Sequence, residues 1–177
     1  MRITILTLLF VLCMPTMAQK TFVERSTDVL SVTPTLAALT VSIVENDTKG
    51  MAELGLSTAA TIVANYALEA SIKKSRPDGT GNHSFPSTHT ALAFDGATYL
   101  MKRYGWKWGI PAYAVSTYVA WGRVYADKHD VWDVLGGAAL GTAAALVFTH
   151  SRKDISISVS PCVMGNSAKG LHASIIF

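Results

Sequence analysis

The sequence predicts an all-α protein, a bundle of about five helices followed by a C-terminal β-hairpin. Half of the 177 residues are apolar, which is enough for a substantial core. Long apolar segments alternate with short breaks rich in Gly, Pro and Asn, and this is the pattern of helices joined by short loops. Only residues 155–177 change to a two-residue alternation, which is typical of strands.

The first two predicted helices lie in the N-terminal half of the chain. Residues 29–44 form an apolar stretch that Pro34 interrupts, and residues 45–50 are a polar break. Residues 54–74 predict the second helix, because their apolar positions recur at helical spacing. The Pro, Gly and Asn residues of segment 76–82 predict a loop.

Three further helices complete the predicted bundle. Ser87 is a suitable N-cap for a helix that ends near Tyr104. Residues 109–111, Gly-Ile-Pro, mark the start of the next helix, which runs to about Val124. Residues 131–149, rich in Ala and Gly, form the last helix.

The N-terminus has the pattern of a signal peptide. Arg2 precedes an apolar stretch at residues 3–14, and small residues at 16–18 suit cleavage before Gln19. An uncleaved membrane anchor is the alternative, although the stretch is short for a bilayer span. Cleavage would leave Cys162 as the only cysteine, so we expect no intrachain disulfide.

The C-terminal segment predicts a hairpin. Apolar residues alternate with polar ones on both sides of residues 166–170, which would connect two strands. A single hairpin cannot close a membrane barrel, so we expect it to cover the bundle. The predicted organisation is a signal peptide at 1–18, a helical domain at 19–154 and a hairpin tail at 155–177.

Three short blocks contain the residue types that phosphoryl transfer needs: Arg76-Pro77, Pro86-Ser87-Thr88-His89, and Arg123 followed by His129 and Asp133. Guanidinium groups clamp phosphate oxygens in a bidentate way. One histidine can attack phosphorus while the other protonates the leaving group. His129 and Asp133 are one helical turn apart, so the carboxylate can orient the imidazole ring.

The predicted helix that begins at Ser87 supplies a second attraction for an anion. The backbone amides of Ser87, Thr88 and His89 have no partner within the helix and are expected to point towards the anion. The helix dipole also favours negative charge at this end.

The order and spacing of these blocks resemble the signature of the type 2 phosphatidic acid phosphatase superfamily, which also contains bacterial acid phosphatases and vanadium haloperoxidases. The resemblance runs from about Asp28 to His150. It implies a phosphatase in which His129 is the nucleophile and forms a phosphohistidine. It also implies that His89 is the general acid and Ser87 a phosphate ligand. We expect no metal and no cofactor.

Two positions depart from the family pattern. Thr88 stands where the family often has glycine, and Glu69 occupies the place of a phosphate-binding lysine, seven residues before Arg76. Lys73, one turn later on the predicted helix, could substitute for that lysine. An acid near a phosphate is repulsive, so a catalytically impaired phosphate-binding or structural protein remains an alternative. The predicted phosphate-binding residues are Arg76, Arg123, Ser87, Thr88 and Lys73.

Two further alternatives are open at this stage. The same constellation holds vanadate in vanadium-dependent haloperoxidases, although those enzymes are usually much larger. A metal centre is the other alternative, but a two-metal phosphatase requires more clustered carboxylates. Its candidate ligands are His83, His89, Asp127, His129, Asp130 and Asp133.

The expected function is hydrolysis of a phosphate monoester or diphosphate. The resemblance implies a phosphorylated lipid (phosphatidic acid, a polyprenyl diphosphate or lipid A), with a small phosphate ester as the other option. The net charge of +3 is too small to indicate nucleic-acid binding. We expect an exported, periplasmic bundle, soluble or membrane-associated rather than polytopic. The aromatic residues are expected mostly in the core, and an interfacial belt is the alternative.

Overall fold

The computed structural model describes residues 15–152, 156–164 and 168–176, with side chains for residues 18–152. The predicted all-α bundle is confirmed. Its helices are α1 (Pro15–Leu30), α2 (Thr33–Val44), α3 (Thr48–Ser71), α4 (Thr88–Tyr104), α5 (Trp106–Tyr125) and α6 (Val131–Phe148).

The N-terminal helices differ from the prediction. α1 is not among the predicted helices. The helical structure is interrupted between Leu30 and Thr33, just before Pro34. Pro34 lies in the first turn of α2, where a helix tolerates proline because that N–H has no intrahelical partner. Residues 1–14 lie outside the described part of the chain, so the signal peptide stays a prediction.

Three later helix boundaries also differ. α3 begins at Thr48, inside the predicted polar break at 45–50 and ahead of the predicted start at Leu54, because the Asp47 side chain caps it by accepting from the Gly50 N–H. It ends at Ser71 rather than at Lys74. α5 begins at Trp106, ahead of the predicted start at residues 109–111. Gly105, with φ 91°, makes the turn between α4 and α5, and this left-handed conformation favours glycine.

α4 is the central helix and packs against α2, α3, α5 and α6. Its approach to α6 requires glycine. A Cβ atom on Gly137 would lie 2.4 Å from the Ser87 carbonyl oxygen, and one on Gly141 would lie 2.0 Å from the Ala91 carbonyl oxygen. The two helices therefore run parallel in close contact, and their first turns lie at the same end of the bundle.

α3 presents a buried polar face to α4. Glu53, Ser57, Thr61 and Asn65 follow one another at four-residue steps, and all four are buried. Ser57 donates a hydrogen bond to Asp95 of α4. The interface between these two helices is therefore polar along much of its length.

An ionic cluster closes the end of the bundle where α4 finishes. The Arg103 guanidinium donates to Asp47 at 2.6 Å and to Glu53 at 2.7 Å. Glu53 also accepts the backbone N–H of His150, after α6, at 3.0 Å. The hydrogen bond from Arg103 holds the pKa of Asp47 well below its usual range. This cluster ties the start of α3 to the ends of α4 and α6.

Much of the apolar surface is exposed. All four tryptophans, Trp106, Trp108, Trp121 and Trp132, are more than half exposed, so the expectation of a core position is wrong for them. Exposed aromatic residues of this kind are typical of membrane interfaces. Two helical segments, Ala18–Val44 and Val131–Phe148, have the length and mean hydropathy to cross a membrane. These features support membrane association.

Two strands follow the bundle. β1 (Ser156–Met164) and β2 (Ala168–Ile176) pair antiparallel, with Ser156 opposite Ile176 and Met164 opposite Ala168. Their side chains lie outside the described part of the chain. The expectation that this segment covers the bundle therefore stays a prediction.

The close contact between α4 and α6 predicts that alanine substitution destabilises the protein at one glycine and not at another. Gly141→Ala should lower the free energy of unfolding by about 2 kcal/mol, because its methyl group would overlap a backbone carbonyl. Gly55→Ala, in α3, is the matched control. Nothing lies within 4 Å of its Cβ position, so it should be neutral or stabilising by up to about 1 kcal/mol. Thermal and urea unfolding of both variants checks this, and equal effects would contradict the packing argument.

Candidate active site

His129 lies in the connection between α5 and α6 and is almost fully buried. Its ring Nδ1 is 2.8 Å from the backbone carbonyl oxygen of Ser84. A carbonyl can only accept a hydrogen bond, so Nδ1 carries the proton and Nε2 keeps its lone pair. The backbone therefore selects the tautomer that a nucleophilic imidazole requires.

Asp133 is linked to this ring through Ser84 rather than by a direct hydrogen bond. The nearest carboxylate oxygen of Asp133 lies 3.7 Å from His129 Nδ1, which is too far for a hydrogen bond. The Ser84 hydroxyl instead donates to Asp133 at 2.5 Å, while the Ser84 carbonyl accepts from His129. Ser84 is a site residue that the sequence pattern does not reveal.

Lys74 also reaches the buried Asp133. Its ammonium donates to Asp133 at 2.7 Å and to Asp130 at 2.5 Å. Burial disfavours the charged ammonium, but these two carboxylates outweigh that effect and raise the pKa of Lys74. Lys73 is predicted to bind phosphate. Because α3 ends at Ser71, Lys73 lies beyond the helix, and it is exposed. The neighbouring Lys74 makes the contacts to the start of α6.

The first turn of α4 offers fewer free amides than expected. The Ser87 N–H donates to the Asp133 carbonyl oxygen at 2.9 Å, so it is already used. The N–H groups of Thr88 and His89 lie in the first helical turn, where no intrahelical acceptor exists. The Ser87 hydroxyl makes no capping hydrogen bond. It accepts from Thr90 at 3.1 Å, which leaves its own proton available to an anion.

The two arginines lie close to both histidines. The positive charges of Arg76 and Arg123 act on His89 and on His129. The Nε atoms of both arginines are buried without a hydrogen-bond partner in the part of the chain that the structure describes. A buried N–H without an acceptor is costly, and a bound anion would remove that cost at both positions.

Asp28 of α1 links Arg123 to His89. Its carboxylate oxygen Oδ1 accepts from Arg123 Nη1 at 2.6 Å and lies 3.2 Å from His89 Nε2. An anion bound to Arg123 therefore shares the guanidinium with a carboxylate of the chain itself. No spacing in the sequence signals this residue, because it lies 95 positions before its arginine.

Glu69 reaches the start of α4. Its Oε1 atom accepts from the Thr88 hydroxyl at 2.9 Å and from the Asn65 side-chain amide at 2.8 Å. The single hydroxyl proton of Thr88 is thus donated to Glu69. Only the backbone amide of Thr88 remains for a phosphate.

Burial lowers the pKa of both histidines. It lowers the pKa of His129 to about 4, against the opposing hydrogen bond to Ser84. Burial, and then the charge of Arg123, lowers the pKa of His89 to about 4. Both rings are therefore neutral at pH 7, which suits a nucleophile. An anion bound beside His89 would raise its pKa and favour the protonated form that a general acid requires.

The described residues contain no set of ligands for the alternative of a metal centre. Among them, no group of three or more His, Cys, Asp or Glu side chains is placed to hold a metal ion. Positive charge at this site comes instead from two guanidiniums and a helix N-terminus, the groups that stabilise a phosphoryl group during transfer.

The chain is similar to known phosphatases. Residues 60–156 match the family model of the PAP2 superfamily. The chain is 29% identical to a lipid A 4'-phosphatase of Helicobacter pylori over 141 residues, which cover 73% of this chain and 71% of that protein.

Two solved structures share the fold. The crystal structure of Aquifex aeolicus LpxE matches with a TM-score of 0.62 and 21% identity, over 73% of this chain and 84% of that one. A transmembrane PAP2-type phosphatidylglycerolphosphate phosphatase from Bacillus subtilis matches with a TM-score of 0.57 and 23% identity, over 74% and 73%.

The buried His129 predicts acid sensitivity. The unfolded ring takes up a proton below about pH 6.5, whereas the folded ring stays neutral down to about pH 4. Stability is therefore lost as the pH falls through this window. Between pH 7 and pH 4 the free energy of unfolding of the wild type should fall by about 3 kcal/mol more than that of His129→Gln. His83→Gln, at an exposed histidine, is the control and should keep the wild-type slope. Urea unfolding at several pH values measures the difference, and parallel curves for His129→Gln and the wild type would contradict it.

Proposed function

This chain belongs to the PAP2 superfamily and is a phosphatase, and from that premise we propose that it removes phosphate from a membrane lipid through a phosphohistidine on His129. The observation that carries the proposal is the hydrogen bond from His129 Nδ1 to the Ser84 carbonyl. It leaves Nε2 as an unprotonated nucleophile in a buried site. Arg76 and Arg123 act electrostatically on this ring and also on His89.

In the first step, His129 Nε2 attacks phosphorus and the bond from phosphorus to the lipid oxygen breaks. His89, which the negative charge of the bound phosphate keeps protonated, gives its proton to that oxygen, so the lipid leaves as a neutral alcohol. Arg76 and Arg123 bind the phosphoryl oxygens, on which negative charge spreads in the transition state. The free amides at the start of α4 add to this stabilisation.

In the second step, water attacks the phosphohistidine. His89, now neutral, accepts a proton from the water as its oxygen bonds to phosphorus. The bond from phosphorus to His129 Nε2 breaks, and the phosphate group leaves with the water oxygen. The enzyme returns to its starting state with no metal and no cofactor taking part.

A lipid is the substrate class that the surface of the protein supports. Four exposed tryptophans and two apolar helical segments allow the bundle to contact a bilayer. The similarity to a lipid A 4'-phosphatase makes a lipid A phosphate the first candidate. Phosphatidic acid and a polyprenyl diphosphate remain candidates, and the proposed location is the periplasmic side of an exported protein. Nothing in the described residues specifically favours the haloperoxidase alternative.

The nucleophile is tested by His129→Gln. This variant should release phosphate from lipid A and from phosphatidic acid in mixed micelles at less than about a hundredth of the wild-type rate, because no second group can form the covalent intermediate. Circular dichroism should show unchanged helix content, and His83→Gln should keep full activity. A faster rate in His129→Gln would remove His129 from the nucleophile position.

The general acid is tested by His89→Ala and the choice of leaving group. A lipid alkoxide needs a proton as it leaves, whereas an activated aryl phosphate hardly does. The variant should therefore lose at least about tenfold more kcat/KM on the lipid phosphate than on the aryl phosphate. Equal losses on both substrates would show that His89 acts in some other way.

A further inference from the structure

Glu69 lies beside the proposed phosphate position, at the end of the buried polar face of α3. It follows Asn65 by one helical turn, and Thr88 opposite begins the first turn of α4. Its Oε1 atom lies 2.9 Å from the Thr88 hydroxyl oxygen. Given the short covalent path from that hydroxyl to its own backbone nitrogen, the carboxylate lies within about 6 Å of the Thr88 amide. This amide lies in the first turn of α4, where the N–H groups have no intrahelical acceptor.

The carboxylate is held in place on one side only. Asn65 and Thr88 both donate to Oε1. Among residues 18–152, no donor is bonded to Oε2, and no lysine or arginine lies within ion-pair distance of Glu69. The negative charge is therefore fixed in position and not neutralised by a cationic partner within that part of the chain.

A fixed negative charge acts differently on different substrates. The scissile phosphate is attracted by Arg76 and Arg123, which lie near both histidines. A second phosphate attached to the first would bring further negative charge into the same small region. At separations of several ångströms, one extra like-charge contact changes affinity by on the order of tenfold or more. A hydroxyl or ammonium group next to the scissile phosphate would instead find a free acceptor in Oε2.

We propose that Glu69 is a specificity-determining residue, which makes the site select phosphate monoesters over diphosphates and prefer a hydrogen-bond donor next to the scissile phosphate. This inference rests on the proposed function and narrows its substrate class. It disfavours a polyprenyl diphosphate and favours a monoester on a hydroxyl-bearing headgroup such as a sugar. Thr88 and Asn65 act as positioning residues for the carboxylate.

The competing explanation is that Glu69 only joins α3 to α4. Glu69→Gln separates the two, because the glutamine oxygen can still accept from Thr88 and Asn65 while the charge is removed. Glu45→Gln is the matched control. Glu45 is an exposed acid paired with Arg152, close to the Arg103 cluster and far from α4's first turn. Glu69→Ala is a second variant that removes both the charge and the hydrogen bonds.

The binding experiment uses the purified full chain in detergent micelles, with inorganic orthophosphate and pyrophosphate as probes in titration calorimetry. Glu69→Gln should raise the affinity for pyrophosphate relative to orthophosphate by on the order of tenfold. Glu69→Ala should change the ratio in the same direction, and Glu45→Gln should leave it unchanged. An unchanged ratio in a folded Glu69→Gln protein would overturn the inference.

The turnover experiment compares phosphatidic acid with diacylglycerol pyrophosphate, which carries the same acyl chains. The ratio of kcat/KM for the monoester to that for the diphosphate should fall on the order of tenfold in Glu69→Gln. If the wild type hydrolyses neither of these lipids nor lipid A while the calorimetric ratio still shifts, the proposed function fails and the role of Glu69 stands. If both lipids are hydrolysed and neither ratio shifts, the function stands and the role of Glu69 is refuted.

Discussion

The buried carboxylate of Asp133 is the constraint on which the site depends. It has no exposure to solvent, and a buried charge is tolerated only when hydrogen bonds satisfy it. Three donors reach it: the Ser84 hydroxyl, the Lys74 ammonium and the Asp130 N–H. They come from the connection between α3 and α4 and from the N-cap of α6. The bonds that stabilise this charge therefore also fix Ser84, and through its carbonyl the ring of His129.

Most of the bundle follows from the hydrophobic pattern, and the differences have physical causes. The pattern predicts α4 to within a residue, because Ser87 and Gly105 mark its two ends locally. It places the end of α3 at Lys74 rather than Ser71, because no nearby residue shows that the chain must leave the helix to reach the start of α6. It treats Pro34 as an interruption, although proline fits the first turn of a helix.

The residues with a proposed chemical role are easier to predict from the sequence than the residues that hold them in position. The residue types of the three blocks, and their resemblance to the superfamily signature, point to both histidines and both arginines. Ser84 and Asp28 act on partners 45 and 95 positions away, and a single polar residue has no periodic signal. The tryptophans could not be placed from composition, because large aromatic side chains suit both a protein core and a lipid interface.

The ionic cluster around Arg103 and the backbone amide of Thr88 lie at opposite ends of α4. The helical rise puts them about 23 Å apart, somewhat less than the roughly 30 Å of a bilayer's hydrocarbon core. If the bundle stands upright in a membrane, its two polar ends lie towards the two headgroup layers. The bilayer around it would then be slightly thinner than usual. A lipid phosphate would then meet the arginines by lateral diffusion, with its acyl chains still in the membrane. In that arrangement, the thickness of the bilayer would set the depth at which the reacting headgroup lies.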